Sequence, residues 1–301
     1  MKKTIVAAAV AAVFAAPAMA DVTISGQINQ EFIDGGSDWT QDLNSDIVFK
    51  GSEDLGNGMK ASFVIHRYFD DGRFGSLDGT TQSAAKETSA DQSISLSGDF
   101  GAIKVGRFEP YTVSAITSMM NIDAADALDL ETSFGKGRSN GGMQYVSPAM
   151  NGLTVGIEGF ASEDSTGDDL ATTTVFGQYS NAGLTVKVAK ESFGNGASAS
   201  LDVTSIGASY KMGDLEVRVV NTDDDNGTGA DIANTFYGAK YTMGANTIAV
   251  GMNDHDTANS DDKIYSVSHA LSKRTSVYLV HFVDDSTGTD DSTLVGVKHS
   301  F

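Results

Sequence analysis

The chain contains no cysteine, only three prolines and a single tryptophan among its 301 residues. Without cysteine it forms no disulfide, zinc–thiolate site or iron–sulfur cluster, and it has no thiol nucleophile. Basic residues are also scarce, since 20 lysines and arginines stand against 40 acidic residues for a formal net charge of −20. We therefore expect no nucleic-acid partner, because the phosphates would be repelled by the excess carboxylates.

Candidate catalytic groups are few and scattered along the chain. An enzyme needs a nucleophile or an activated water with a base in reach, but no Gly-x-Ser-x-Gly elbow accompanies the five histidines, His66, His255, His269, His281 and His299. The acidic run at 223–225 lacks the spacing of an EF-hand loop. The sequence therefore favours a protein that is not an enzyme and predicts neither a metal site nor another cofactor.

Long apolar runs are missing after the first twenty residues. Lys2 and Lys3 precede the uncharged run 5–16, which is too short to span a bilayer as a helix, and Ala18-Met19-Ala20 is a small-x-small cleavage site. We therefore expect residues 1–20 to be a signal peptide removed after Ala20, and residues 21–301 to form one exported domain. Loss of the two lysines lowers the formal charge to −22.

The rest of the chain alternates apolar and polar residues with a period of two. Leu184, Val186 and Val188, for example, alternate with threonine and lysine, as in a strand with one apolar face. Sixteen such segments can be counted, at 22–33, 43–53, 58–69, 90–99, 102–109, 140–147, 152–162, 171–181, 183–190, 202–211, 214–222, 232–242, 246–253, 263–271, 275–283 and 292–301. Short and long connections alternate strictly, so every long loop lies at one end. This pattern predicts an all-β fold, an antiparallel up-and-down β-barrel of sixteen strands.

Two features favour a transmembrane barrel over a soluble sandwich. The second face of the strands is mostly polar over all sixteen segments, which suits a wide, wet lumen. The last segment ends on Phe301, with Val297 and His299 on the same face, which suits an aromatic girdle at the membrane interface. A secreted soluble adhesin or lectin-like protein remains the alternative, because its strands carry the same alternation.

Several motifs along the mature chain carry a family resemblance. The most specific are Phe-Lys-Gly-Ser-Glu-Asp-Leu-Gly-Asn-Gly at 49–58 and the terminal Phe301, and weaker matches lie at 21–28, 105–107, 145–148, 271–275 and 296–301. In these motifs the chain resembles the general bacterial porins, the trimeric sixteen-stranded channels of the Gram-negative outer membrane. The resemblance implies a homotrimer in outer-membrane lipid and lipopolysaccharide that lets ions and small hydrophilic solutes diffuse passively. It also implies that the barrel-assembly machinery reads the C-terminal strand, with Phe301 as the signal.

The same resemblance implies that the third external loop folds into the barrel as a constriction. The corresponding segment, 110–137, is long enough to be functional, and Pro110 marks the end of the preceding strand because it cannot donate to a ladder. Residues 121–130 could form a short helical turn. The alternative is a solvated surface loop with scattered acids. The expected acidic residues of the constriction are Glu109, Asp123, Asp126, Asp129 and Glu131.

The family also carries basic residues on the wall opposite this loop, which together with the loop acids create a transverse field. Carried onto this chain, the pore-wall positions are Lys50, Arg107 and Arg138, and His66 adds a titratable group on an inward position. Alternation alone would turn Arg107 outward. We therefore expect a bulge at Gly106 to turn it into the lumen.

Asp46 is the sharpest departure from the family pattern. The family reads Ser-Arg-Ile-Gly-Phe-Lys-Gly where this chain reads Ser-Asp-Ile-Val-Phe-Lys-Gly at 45–51, so a pore arginine has become a carboxylate. With the negative net charge this predicts a weak preference for cations, unless the acids lie in external loops and are screened within about 8 Å. A solute-specific porin is a further alternative, but Trp39 is the single tryptophan and the inward faces show no row of aromatic residues.

Overall fold

The computed structural model describes residues 21–34, 39–70, 89–122, 137–161, 170–193, 201–225, 232–256, 261–284 and 291–301. The predicted signal peptide, 1–20, lies outside these residues. The strands are β1 (Asp21–Asp34), β2 (Trp39–Gly56), β3 (Met59–Asp70), β4 (Ser89–Gly98), β5 (Gly101–Phe108), β6 (Ser139–Val146), β7 (Leu153–Ala161), β8 (Leu170–Asn181), β9 (Leu184–Phe193), β10 (Leu201–Met212), β11 (Leu215–Asp225), β12 (Ile232–Met243), β13 (Asn246–His255), β14 (Asp261–Ala270), β15 (Thr275–Asp284) and β16 (Ser292–Ser300).

The strands form one closed barrel in which each strand pairs antiparallel with its sequence neighbours. Closure comes from β1 and β16, whose register runs from Gln27 opposite Ser300 to Asp34 opposite Thr293. Gly26 and Phe301 extend this pairing, since the Phe301 amide donates to the Gly26 carbonyl at 3.0 Å. The predicted sixteen-stranded antiparallel barrel is confirmed.

Several short connections are two-residue turns in the left-handed conformation. Asn57 (φ 52°) precedes Gly58, Asn151 (φ 51°) precedes Gly152, and Ala182 (φ 47°) occupies the same place in the β8–β9 turn. Two consecutive residues with positive φ match the right-handed twist of the flanking strands, and Asn-Gly is the favoured pair. These turns keep the strand ends close at one end of the barrel.

The two faces of the sheet differ sharply in chemistry. The outer face exposes large apolar side chains such as Val22, Ile24 and Ile157, each more than half exposed. The inner face carries polar residues such as Asn29, which is buried against the wall. Tyrosines project outward near the end with the short turns, at Tyr145, Tyr179, Tyr210 and Tyr241. This distribution is that of a barrel whose outside meets an apolar medium.

The described helical structure is one short element after β5, a π-type turn at Thr112–Ile116 followed by a 3₁₀ turn at Thr117–Met119. It lies earlier than the helical turn expected at 121–130, a range of which only the first two residues are described. In the described part of the chain, we find no apolar helix of the length that a membrane span requires.

Candidate functional site

Arg138 joins the two ends of the third loop to the barrel wall. Its Nε lies 2.8 Å from Asp91 Oδ1, and its Nη1 lies 2.9 Å from Glu109 Oε1. The guanidinium also lies over the Tyr68 ring, with Cζ 5.4 Å from the centroid. Glu109 directly follows β5 and Arg138 directly precedes β6. Because Phe108 pairs with Ser139 across these strands, the acid and the base form an ion pair instead of facing each other across the lumen.

Asp46 and His66 lie side by side on the lumen face of β2 and β3. Asp46 is opposite Gln27 on β1 and Tyr68 on β3, and its Oδ2 lies 3.8 Å from His66 Nε2. Lys50 is on the same face of β2, four residues along the strand. The predicted inward orientation of these three residues agrees with the register, and their roles in the pore remain predictions.

Arg107 does not lie on the lumen face. The ladder between β5 and β6 is irregular between Gly106 and Phe108, as expected. However, Arg107 is directly opposite Gln92, an exposed residue of the outer face, and its Nη1 donates to Asn140 Oδ1 at 3.2 Å. The irregularity affects only the pairing of β5 with β6. The pairing of β5 with β4 continues without a register shift, so the side chains of β5 keep alternating between the two faces and Arg107 stays on the outer face. The expectation that a bulge turns Arg107 inward was wrong.

The acidic residues expected in the centre of the constriction, Asp123, Asp126, Asp129 and Glu131, lie outside the described residues. Residues 111–122 of this segment contact side chains of the inner wall. Ile116, Met119 and Met120 belong to one buried apolar cluster with wall residues that include Val220 and Phe236. The Tyr111 ring stacks on Phe176, with centroids 3.9 Å apart and an interplanar angle of 8°.

Three charged wall residues hold the backbone of this segment. Glu158 Oε1 on β7 accepts the amide of Tyr111 at 2.5 Å, and Lys187 Nζ on β9 donates to the Ala115 carbonyl at 2.7 Å. Arg218 Nη1 on β11 donates to the carbonyls of Met119 at 3.2 Å and Asn121 at 2.8 Å. Burial, with a further contribution from Glu158, raises the pKa of Tyr111 to about 12, so its phenol is neutral at physiological pH.

The inner wall also contains aromatic residues that the sequence analysis missed. Phe108, Phe160, Phe176 and Phe236 all point inward and are at most 5% exposed. Phe176 lies between Val175 and Gly177, which face outward. Because all three residues are nonpolar, the alternation of apolar and polar residues does not reveal that Phe176 faces inward. These rings are buried and form no exposed row along the lumen. Glu158, Lys187 and Arg218 were equally missed, because nothing local connects them with a segment 47 to 99 residues earlier in the chain.

The five histidines are spread over both faces of the barrel. His66 and His255 face inward, and His255 Nε2 lies 2.8 Å from Asp262 Oδ2. His269, His281 and His299 face outward and bond neighbouring polar side chains. Among the described residues, no group of three or more histidine or acidic side chains is placed to hold a metal ion.

Comparison with known proteins gives a consistent picture. A model of the family described as "Gram-negative porin" matches residues 7–289. The major outer membrane protein P.IB of Neisseria meningitidis serogroup B is 36% identical over 121 residues, 36% of this chain and 34% of that protein. P.IB of Neisseria lactamica is 27% identical over 208 residues, 63% of this chain and 58% of that protein. The chain thus spans about a third to three fifths of the length of these relatives.

Solved structures share the fold along nearly the whole chain. The anion-selective porin from Comamonas acidovorans superposes with a TM-score of 0.69 at 21% identity, covering 94% of this chain and 100% of that one. OmpF of Salmonella typhi, solved with daunomycin, gives a TM-score of 0.73 at 16% identity, covering 93% of this chain and 97% of that one. At these identities the likeness establishes the barrel architecture.

Proposed function

Because the chain belongs to the Gram-negative porin family, we propose that it forms a water-filled channel through the outer membrane for passive diffusion of ions and small hydrophilic solutes. The observation that carries this proposal is the closed sixteen-stranded barrel with an apolar outer face and a polar inner face. A barrel of this size leaves an aqueous lumen when its interior is polar.

Liposome swelling across a series of uncharged sugars tests the proposal. Liposomes that contain the folded protein should swell quickly in a monosaccharide and progressively more slowly in larger sugars. Swelling no faster than in protein-free liposomes would contradict a diffusion channel. A soluble adhesin would leave the outer-membrane fraction on washing, and it would show no change in gel mobility between unheated and heated samples.

We further propose that the third loop folds into the lumen as the constriction, with Glu109, Asp123, Asp126, Asp129 and Glu131 as its acids. The contacts of residues 111–122 with the inner wall support this, because inward-facing side chains can be reached only from inside the barrel. The fixed ends of the loop support it too, since Glu109 and Arg138 meet at the β5–β6 junction.

We also propose a weak preference for cations, which the charges at the predicted pore-wall positions support. Asp46 places a carboxylate on the lumen face, at a position where the resemblance implies an arginine. Arg138 is balanced by two carboxylates, and Arg107 faces outward. Of the three predicted wall cations, Lys50 is the one that faces the lumen and forms no ion pair with another described residue. A negative local potential raises the concentration of cations in the pore. Neutralising Asp46 should therefore weaken this preference.

The proposed partners are two further copies of the chain, outer-membrane lipid, lipopolysaccharide and the barrel-assembly machinery. The exposed apolar outer face supports contact with lipid and with other copies. Phe301 projects outward at 42% exposure beside Gly26, so a C-terminal aromatic signal would be accessible on the strand that closes the barrel. Deletion of Phe301 should lower the yield of folded barrel in the outer membrane, measured by the heat-dependent shift in gel mobility.

A further inference from the structure

The wall residues that touch the third loop are arranged by charge along the loop's direction. Glu158, an anion, meets the amide at the start of the helical turn. Lys187 and Arg218, both cations, meet carbonyls in its middle and at its end. Amides bind acceptors and carbonyls bind donors, so each wall charge matches the backbone group in front of it. Running the segment in the opposite direction would place carbonyls against the carboxylate.

Each of the two cations is paired across the sheet with a glycine. Gly207 on β10 is directly opposite Lys187, and Gly238 on β12 is directly opposite Arg218. The space above these glycines is occupied by the loop: a Cβ on Gly207 would lie 2.8 Å from Met119 Sδ, and a Cβ on Gly238 would lie 2.5 Å from Ile122 Cδ1. At two neighbouring places, the wall therefore combines a cation that binds a loop carbonyl with a glycine that leaves room for an apolar side chain of the loop.

We propose that Glu158, Lys187, Gly207, Arg218 and Gly238 form a loop seat, whose task is to position the third loop and so set the size limit of the pore. This rests on the proposed channel function and adds the residues that fix its constriction. The seat cations act through the loop, so they are positioning residues. Lys187 bonds a loop carbonyl, and its loss should affect the position of the loop more than the charge of the lumen.

Lys187→Met tests the charged half of the seat, with Lys240→Met as the matched control. Lys240 is a lumen-facing cation that pairs with Glu216 on the wall, 3.7 Å away. Both variants remove one positive charge and should move the reversal potential in the same direction. Only Lys187→Met should make brief current fluctuations about tenfold more frequent and admit larger sugars, because a charge-assisted hydrogen bond is lost. Lys187→Arg should restore the quiet current.

Gly207→Val tests the apolar half of the seat without changing any charge. Its control is Gly177→Val, because Gly177 faces outward and a Cβ there meets atoms only at 3.7 Å or beyond. Gly207→Val should displace Met119 and raise current fluctuations and sugar permeation at an unchanged reversal potential, whereas Gly177→Val should leave all three as in the parent chain.

A labelling experiment separates failure of the seat from failure of the channel. Ala189 is 4% exposed and belongs to the cluster under the segment, and the chain has no native thiol. The thiol introduced by Ala189→Cys should react slowly with a maleimide, about tenfold faster with Lys187→Met added, and slowly again with Lys240→Met. Equal rates in all three would overturn the seat even if the channel conducts. If instead the thiol reacts slowly but the folded protein does not conduct, the channel function is refuted. The proposed role of the loop seat in setting the pore size is then refuted with it.

Discussion

At the scale of single residues, Asp46 decides the sign of the proposed selectivity. Asp46→Asn should lower the ratio of cation to anion permeability, and Asp46→Arg should lower it further. A unit charge about 8 Å from a passing ion in water contributes roughly 0.5 kcal/mol, about a twofold change in local ion concentration. The measurement is the reversal potential in a tenfold KCl gradient at low salt, where screening is weakest.

Asp214→Asn is the matched control for Asp46, because it removes the same charge from an exposed turn between β10 and β11. It should move the reversal potential much less. If both variants shift the reversal potential equally, the net charge of the whole chain determines the selectivity, and the position of Asp46 in the lumen does not matter.

Arg138 offers a second test at the residue scale. Arg138→Met would leave Asp91 and Glu109 without their shared cation, and both carboxylates lie mostly shielded from solvent. We expect a loss of about 1–3 kcal/mol of stability, the range for disrupting a hydrogen-bonded charge, together with a stronger cation preference. The temperature at which the unheated gel band disappears measures the first effect. Adding Glu109→Gln to Arg138→Met should recover part of the lost stability. If the double variant is no more stable than Arg138→Met alone, the ion pair between Arg138 and Glu109 is refuted.

At the scale of single elements, the β8–β9 turn contains a strained residue. Ala182 has φ 47°, a left-handed conformation that costs a residue with Cβ roughly 1–2 kcal/mol and that asparagine tolerates better. Ala182→Asn should therefore stabilise the barrel by about 0.5–1 kcal/mol, seen as a higher midpoint in urea. Ala245→Asn, in a turn where that residue has ordinary φ, should show no gain. A lower midpoint for Ala182→Asn would contradict the turn assignment.

The seam between β15, β16 and β1 depends on a glycine. The Tyr278 ring lies over Gly296, where a Cβ would come within 2.3 Å of the ring, and its hydroxyl reaches Asn29 and Glu31 on β1 at 2.5 and 2.6 Å. Gly296→Ala should overpack this site and cost about 1–3 kcal/mol. Tyr278→Phe should cost about 1–3 kcal/mol through the lost hydroxyl contacts. Heat-induced conversion of the folded gel band measures both.

The strands were predictable because each one obeys a local rule. Alternation located all sixteen within four residues, and the largest difference is at β2, which begins at Trp39 instead of residue 43. The short connections then followed as the gaps between successive strands. Arg107 was not predictable in the same way: the bulge at Gly106 was assumed so that Arg107 could take the inward position of the family, whereas the register shift lies only in the pairing of β5 with β6 and leaves Arg107 outward.

At the scale of the whole molecule, the loop seat shows what a sequence read locally cannot reveal. Inward charges such as Lys187 and Arg218 follow from alternation, but their contacts join residues 72 to 99 positions apart in the chain. The same holds for the pairing of Glu109 with Arg138, which sequence reasoning placed on opposite sides of the pore. Closure of the barrel creates these neighbours, so only the fold identifies them.

Both the channel and its selectivity can be measured at once by recording purified protein in a planar lipid bilayer under a KCl gradient. A trimeric, cation-preferring channel should give discrete insertions, each closing in three equal steps, and a reversal potential of the cation-selective sign. Lack of any conductance from folded protein would contradict the channel itself. An anion-selective reversal potential would leave the channel standing and refute the role assigned to Asp46.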